Sequence, residues 1–248
     1  MGVALLDCAS GQVQGLNLDA RFPMCSTFKV LAVAATLSRI DAGAEQLQRS
    51  VPITAADIIE YAPVTSQHVG SSGMTVAELC VAAIQLSDNT AANLLLRSLG
   101  GPAAVTHFTR SIGDRHTRLD RNEPTLNEAT PGDPRDTTTP RAMARDLNSL
   151  LVGSRLKSAS RALLKEWMAG CKTGLKKIRS AVPDGYTVGD KTGSGSHHTS
   201  NDIAVIWPPD RAPWVLTVYL TDVKSDSGDE QAAIIAEAAR ACMSLITE

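Results

Sequence analysis

Two parts of the chain, its beginning and its last third, alternate apolar with polar residues at the spacing of β-strands. The first part, 3–18, carries a Ser-Gly pair in its middle and predicts a hairpin. In the last third, apolar runs at 202–207 and 214–220 flank a proline-rich turn, and a shorter run at 186–191 precedes them. We therefore expect strands at both ends of the chain to pair in one sheet.

The middle of the chain has the spacing of helices instead. From Ser26 to Leu37 the residues are apolar nearly all round, which predicts a buried helix. Thr75 and Glu78 form a capping box that opens another helix, and Pro102 suits the first residue of a third. Further helices are predicted at about 90–99, 140–153, 160–169 and 230–246.

The order of these elements predicts an α+β fold. Strands, then helices, then strands and a final helix indicate an antiparallel sheet with helices packed against it. A polar stretch at 114–134 has no period and predicts a long loop, which is uncommon unless functional. We expect a single domain, 1–248, made of a sheet part (about 1–25 and 175–248) and a helical part (about 26–174). A cleft between the two parts is the natural place for a site.

Composition and charge limit the classes of partner that this protein is expected to bind. The 248 residues carry a formal net charge of −2 with both signs interspersed, which gives no reason to expect a nucleic-acid or membrane partner. No apolar stretch is long enough to cross a bilayer. No signal peptide is recognisable, so we expect either a cytosolic chain or the mature, trimmed form of an exported one. Five cysteines lack the spacing of metal ligands.

A serine and a lysine, Ser26 and Lys29, stand three residues apart at the start of the first predicted helix. On a helix they share one face and lie within hydrogen-bond reach. Burial would lower the pKa of the lysine, so that it could accept the serine proton, and the helix N-terminus would favour a developing oxyanion. The alternative is a helix cap beside a surface lysine.

Two further triplets suit the same chemistry. Ser87, Asp88 and Asn89 lie between two predicted helices, where a hydroxyl and an amide can shuttle a proton and hold a substrate amide; a polar helix junction is the alternative. Lys191, Thr192 and Gly193 lie on a predicted strand, where a glycine lets a ligand approach the backbone. That lysine indicates either a solvent-exposed edge or a docking point for a carboxylate.

The three motifs, in this order, are those of class A β-lactamases and penicillin-binding proteins. The chain resembles class A β-lactamases over nearly its whole length, also in the stretches 21–29, 74–80, 87–95 and 131–137. The resemblance implies a five-stranded antiparallel sheet with helices on both faces plus an all-helical subdomain, a β-lactamase/transpeptidase-like fold. We expect a fold without the family's usual first helix.

The long polar loop resembles the omega loop of that family. The resemblance implies that Glu123 deprotonates the water that attacks an acyl-enzyme on Ser26, with Asn127 as a second anchor for this water. It also implies an Arg121–Asp136 ion pair that closes the loop and a cis peptide bond between Glu123 and Pro124.

The resemblance assigns the remaining site residues and the reaction, opening of the β-lactam ring of penicillins and cephalosporins, which confers resistance. Ser26, Lys29, Ser87 and Glu123 would be catalytic. The residues expected to bind substrate are Tyr61, Asn89, Asn127, Lys177, Lys191, Thr192, Gly193 and Ser194. No cofactor and no metal are implied, and we expect a periplasmic or secreted monomer whose partners are small β-lactams.

Departures from the family concern carboxylate recognition and cysteine pairing. The segment 196–200 lacks the arginine that many members have there, and Lys177 stands where another subset has an arginine. A lysine is a point charge rather than a planar fork, so we expect looser recognition of a carboxylate. Cys25 resembles a cysteine that carbapenem-hydrolysing members bridge, but Gly195 or Ser196 stands at the place of its partner, and we expect no such disulfide.

Three other functions share part of this pattern. A DD-peptidase or a β-lactam-sensing receptor domain has the same trio but forms a long-lived acyl-enzyme, and Glu123 with Asn127 argues against both. An unrelated hydrolase with a Ser-x-x-Lys motif, such as a glutaminase or esterase, would not need Glu123 and Asn127. A non-catalytic scaffold would need neither the three motifs nor the pair of Glu123 and Asn127.

Overall fold

The computed structural model describes residues 1–224 and 227–247. Its centre is an antiparallel sheet of five strands in the order β2-β1-β9-β8-β7. These strands are β1 (Gly2–Asp7), β2 (Val13–Leu16), β7 (Thr187–Gly195), β8 (Thr199–Trp207) and β9 (Trp214–Leu220). Two short pairs lie outside it: β3 (Phe22–Pro23) with β6 (Thr137–Thr138), and β4 (Ser50–Val51) with β5 (Met74–Thr75). The strands at the two ends of the chain therefore pair as predicted, with β1 beside β9.

Seven α-helices lie within the described ranges. They are α1 (Phe28–Asp41), α2 (Val76–Gln85), α3 (Asn89–Leu99), α4 (Pro102–Ser111), α5 (Pro140–Leu151), α6 (Ser158–Ala169) and α7 (Gly228–Thr247). The polar stretch predicted to be a loop connects α4 to β6 and contains one turn of 3-10 helix, Thr125–Asn127.

The sheet is covered on both faces because its strands alternate apolar residues between them. On one face Leu5, Ala204 and Leu216 pack against α7, whose buried residues include Ile235 and Ala239. On the other face side chains such as those of Leu6, Ile203 and Val215 join the core formed by the helices of the middle of the chain. Each fully buried aliphatic side chain contributes about 1.5–3 kcal/mol relative to an exposed one. The expected antiparallel five-stranded sheet with helices on both faces is confirmed.

Local chemistry sets the helix ends. The capping box of Thr75 and Glu78 opens α2, and the Asp88 carboxylate caps α3 by accepting from Ala91 N at 2.8 Å. Gly100 ends α3 with a φ of 100°, a conformation that suits glycine. Pro102 is the first residue of α4, as predicted.

Two elements differ from the expected boundaries. Ser26 lies in a 3-10 turn, Cys25–Thr27, and α1 begins only at Phe28. The strand expected at 186–191 continues to Gly195, through polar residues that no apolar alternation marks. These polar residues are held in the sheet because β7 pairs with β8 over its whole length.

No helix among the described residues is long and apolar enough to span a membrane. All five cysteines are free thiols.

Candidate active site

The sheet holds Ser26 in place by direct contact with the turn that carries it. Asn201 Nδ2 of β8 donates to Pro23 O at 2.9 Å and to Met24 O at 3.2 Å. A Cβ on Gly193 would lie 2.7 Å from Met24 O, closer than real side chains approach a carbonyl. Only a glycine therefore lets β7 lie this close to the turn, which puts Ser26 beside the strand that carries Lys191 and Thr192.

Lys29 lies one turn after Ser26 and is fully buried. Its Nζ donates to Ser26 Oγ at 2.8 Å, to Ser87 O at 2.8 Å and to Asn89 Oδ1 at 2.6 Å, and lies 3.1 Å from Glu123 Oε1. Burial lowers the pKa of the Lys29 ammonium, and the charge of Glu123 opposes that shift. The surface lysine of the alternative interpretation is therefore wrong: this amine is poised beside a serine hydroxyl.

Glu123 enters the same cluster from the long loop. Ser26 Oγ donates to Glu123 Oε1 at 3.3 Å, and Asn127 Nδ2 donates to Oε2 at 2.5 Å. The backbone of Glu123 is clamped by Asn93, whose Oδ1 accepts from Glu123 N at 3.0 Å and whose Nδ2 donates to Glu123 O at 2.8 Å. The peptide bond between Glu123 and Pro124 is cis, as expected. The carboxylate is thus fixed within hydrogen-bond reach of the serine.

An ion pair closes this loop, as expected. Arg121 Nε donates to Asp136 Oδ2 at 2.5 Å, and Arg121 also pairs with Glu128. The second Asp136 oxygen accepts from the backbone N–H groups of Asp120, at 2.7 Å, and Arg121, at 3.0 Å. One buried carboxylate therefore joins the beginning of the loop segment that carries Glu123 to its end.

Ser87 links the two buried lysines. Lys191 Nζ donates to Ser87 Oγ at 3.0 Å and Lys29 Nζ lies 3.3 Å from the same oxygen. Burial, with the nearby Lys29 charge, lowers the pKa of Lys191 to about 7. Ser87 has a φ of 58°, and the adjacent Asp88 carboxylate fixes the corner by accepting from Thr65 Oγ1 at 2.9 Å. A hydroxyl between two ammonium groups suits proton transfer.

The cluster opens into a cleft of about 350 Å³. The cleft is lined by Ser26, Tyr61, Ser87, Asn89, Asn127, Thr173, Lys177, Thr192, Gly193 and Ser194. The remaining predicted residues, Lys29, Glu123 and Lys191, lie buried behind this wall and are hydrogen-bonded to it. The structure therefore brings all twelve candidate residues together.

Two of these residues differ in exposure. Tyr61 is 57% exposed at the rim. Lys177 is buried, and its Nζ donates to Ser200 Oγ and Asn201 O, both at 3.0 Å. Burial lowers the pKa of Lys177, and the charge of Asp202 opposes that shift.

Sequence reasoning missed two residues of this site. Asn93 holds the backbone of Glu123, and Thr173 lines the cleft with its Oγ1 2.6 Å from Thr192 Oγ1. A signal for the second was present, because the triplet Lys-Thr-Gly occurs twice, at 172–174 and at 191–193. The two copies face each other through their threonines.

This arrangement can perform nucleophilic catalysis. A hydroxyl that is hydrogen-bonded to both an amine and a carboxylate can lose its proton as it attacks a carbonyl. Among residues 1–224 and 227–247 no group of three or more histidine, cysteine or acidic side chains is placed to hold a metal ion.

Comparisons with known proteins identify the family of this chain. A model of the β-lactamase enzyme family matches residues 1–246. β-Lactamase CTX-M-8 of Citrobacter amalonaticus is 49% identical over 96% of this chain and 81% of its own length, and β-lactamase OXY-2 of Klebsiella oxytoca is 48% identical over 96% and 82%.

Solved structures match as well. An ancestral class A β-lactamase superposes with a TM-score of 0.96 at 59% identity, covering 98% of this chain and 93% of that one. A putative class A β-lactamase, PenP from Rhodopseudomonas palustris, gives 0.96 at 56% identity, with the same coverage. With the fold and family model in agreement, this chain belongs to the class A serine β-lactamases.

Proposed function

We propose that this chain hydrolyses the β-lactam ring of penicillins and cephalosporins through an acyl-enzyme on Ser26 and thereby confers resistance to them. One observation carries the proposal: Ser26 Oγ lies within hydrogen-bond reach of both Lys29 Nζ, at 2.8 Å, and Glu123 Oε1, at 3.3 Å. An amine suits formation of the acyl-enzyme, and a carboxylate suits its hydrolysis.

In the first half-reaction Ser26 Oγ attacks the lactam carbonyl. Its proton passes to Lys29, or to Glu123 through a water. The backbone N–H groups of Ser26 and Ser194, both on the cleft wall, would donate to the oxyanion. When the tetrahedral intermediate collapses, the carbonyl C–N bond breaks and the ring nitrogen takes a proton from Ser87. Ser87 then recovers a proton from Lys29, which has received the Ser26 proton directly or from Glu123 at 3.1 Å, while Lys191 donates to the same Ser87 oxygen.

In the second half-reaction Glu123 takes a proton from the water that attacks the ester. Asn127 Nδ2 donates to Glu123 Oε2, and the Asn127 amide would serve as the second anchor of the water. The new tetrahedral intermediate then expels Ser26 Oγ, which takes back from Glu123 the proton that came from the water. General-base assistance of this kind contributes about 10²–10⁴-fold to such a step.

The carboxylate that penicillins and cephalosporins carry next to the ring nitrogen needs cationic and hydroxyl donors. Lys177, Lys191, Thr192 and Ser194 supply them around one end of the cleft. Gly193 lines the cleft and lets the strand lie against the turn that carries Ser26. Asn89 would hold the side-chain amide of the drug, and Tyr61 would form a wall at the rim.

We further propose that the chain acts as a monomer in the periplasm or outside the cell. In this proposal one domain comprises the sheet part, about 1–25 and 175–248, and the helical part, about 26–174. The cleft, which takes Ser26 from one side and Thr192 with Ser194 from the other, fits this division.

The test is hydrolysis of a chromogenic cephalosporin by the purified chain, with Ser26→Ala as the inactive control. The proposal predicts many turnovers per enzyme molecule and none for the variant. A single stoichiometric burst would instead indicate a penicillin-binding acceptor, and equal activity in the variant would exclude Ser26 as the nucleophile.

A further inference from the structure

Three side chains form a hydrogen-bonded chain behind the carboxylate end of the cleft. Cys171 Sγ lies 3.4 Å from Thr173 Oγ1, and Thr173 Oγ1 lies 2.6 Å from Thr192 Oγ1. Cys171 is buried, with 2% of its surface exposed, whereas Thr173 and Thr192 line the cleft. This series of hydrogen-bonded side chains therefore leads from the protein interior to the place where a substrate anion would lie.

Close packing holds these groups at hydrogen-bond distance. A Cβ on Gly174 would lie 1.9 Å from Asp190 Oδ2 and 3.4 Å from Thr192 Cγ2. The segment that follows Cys171 can therefore press against β7 only because position 174 has no side chain. The contact between the two threonine hydroxyls follows from this approach.

The direction of the hydrogen bonds decides what the chain does. Each hydroxyl has one proton, so only one of the two threonines donates in the hydrogen bond between them. The Thr192 proton is free to point at a substrate only when Thr173 is that donor. A thiol at Cys171 can donate to Thr173 Oγ1. Burial, followed by the charge of Asp190, raises the pKa of the Cys171 thiol, which keeps its proton in place. Hydrogen bonds arranged head to tail strengthen one another.

We propose that Thr173, supported by Cys171, is a positioning residue that turns the Thr192 hydroxyl proton toward the carboxylate of the substrate. This inference rests on the proposed function, because it names how the same cleft recognises its anion. Thr173 acts through Thr192, and its contribution belongs to binding and acylation rather than to deacylation, which Glu123 and Asn127 perform elsewhere in the site.

The experiment compares Thr173→Val with Thr173→Ser, since valine keeps the shape and removes the hydroxyl whereas serine keeps the hydroxyl. The readouts are the second-order acylation rate constant with a chromogenic cephalosporin, kcat and Tm. We expect Thr173→Val to lower the acylation constant about five- to tenfold with kcat within about twofold, as for an interaction that binds ground and transition states alike. Thr173→Ser should stay within about twofold of the unmodified protein.

A second pair tests the inner end of the chain. Cys171→Ser keeps a donor and should retain the acylation constant, whereas Cys171→Ala removes it and should lower the constant about two- to threefold. Equal constants for the valine and serine variants at Thr173 would overturn the inference. So would a fall in kcat that follows a fall in Tm, because that marks a structural role.

Failure of the proposed function would look different. A burst without turnover would refute the hydrolase assignment, yet the acylation constants would still test the role of Thr173. Absence of any acylation in the unmodified protein would overturn both.

Discussion

Replacing Asp136 by asparagine would remove the charge that ties together the two ends of the loop segment carrying Glu123. The Asp136 backbone has a φ of 56°, and asparagine adopts this conformation as readily as aspartate. Its Oδ1 can still accept from the backbone N–H groups of Asp120 and Arg121. Its Nδ2, however, would face the Arg121 Nε–H, donor against donor. Asp136→Asn therefore removes the ion pair and leaves the rest of the turn intact.

The expected loss of stability follows from the burial of the Arg121–Asp136 ion pair. The Asp136 side chain is 1% exposed and that of Arg121 is 15% exposed. Removing one partner of a buried ion pair costs about 3–5 kcal/mol. Because Arg121 keeps Glu128 as a second partner, we expect about 3 kcal/mol, at the lower end of that range. For a domain of this size that corresponds to a fall in Tm of about 6–12 °C.

The loop also positions Glu123 and Asn127, so deacylation should slow. A displacement of about 1 Å in such a group costs up to about 10²-fold in rate, and we expect kcat to fall about 10- to 100-fold with acyl-enzyme accumulating. The assay combines thermal unfolding with intact-mass measurement during turnover of a cephalosporin.

A matched control lies in the same loop. Asp133 pairs with Arg135 at 2.7 Å, but Arg135 is 48% exposed, and exposed ion pairs contribute little. Asp133→Asn makes the same change of charge and should leave Tm and kcat unchanged. Equal effects of the two substitutions, or an unchanged Tm for Asp136→Asn, would refute the reasoning.

Three other predictions concern two buried charged groups and one close contact in the site. Burial and a neighbouring lysine lower the pKa of Lys191 to about 7, so its charge is lost as the pH rises through 7. From pH 6 to pH 8 kcat/KM should fall about tenfold, whereas Lys191→Arg, which stays charged, should give a flat profile; a flat profile in the unmodified protein would contradict this. Burial raises the pKa of the Asp146 carboxyl well above its usual range, so the folded state holds a proton that the unfolded state releases, and stability falls as the pH rises above about 4. Asp146→Asn should therefore raise the free energy of unfolding increasingly from pH 5 to pH 8 in urea titrations, and a loss at pH 8 would count against it. A Cβ at Gly195 would lie 2.6 Å from Cys25 Sγ and 2.7 Å from Asn127 O. Gly195→Ala should therefore lower both Tm and the deacylation rate. No change in either quantity would contradict this close packing.

Elements with a local cause were predictable from the sequence. The capping box of Thr75 and Glu78, the N-terminal proline of α4 and the alternation of β8 and β9 each depend on neighbours in the sequence. The four motifs of the site were recognisable because they resemble those of class A β-lactamases. Spacing alone predicted only that Ser26 and Lys29 can lie within hydrogen-bond reach.

Features that depend on distant contacts were not predictable in this way. No apolar pattern marks the polar end of β7. The strand extends to Gly195 because it pairs with β8 over its whole length and because its end packs against Met24 and Cys25. The role of Thr173 depends on contact with Thr192, and that of Asn93 on the backbone of Glu123. Asp146 lies on α5 between Arg145 and Leu147, and only the packing of α5 shows that its carboxyl is buried.

The most direct test of the account is the fate of the acyl-enzyme in Glu123→Gln. Glutamine has nearly the shape of glutamate but cannot accept a proton from water, so the covalent adduct should persist. Intact-mass measurement after addition of a cephalosporin should show the adduct on Ser26 decaying about 10²–10⁴ times more slowly than in the unmodified protein. Turnover at the unmodified rate, or an adduct on another residue, would contradict the central claim that Ser26 carries the acyl group and that Glu123 drives its hydrolysis.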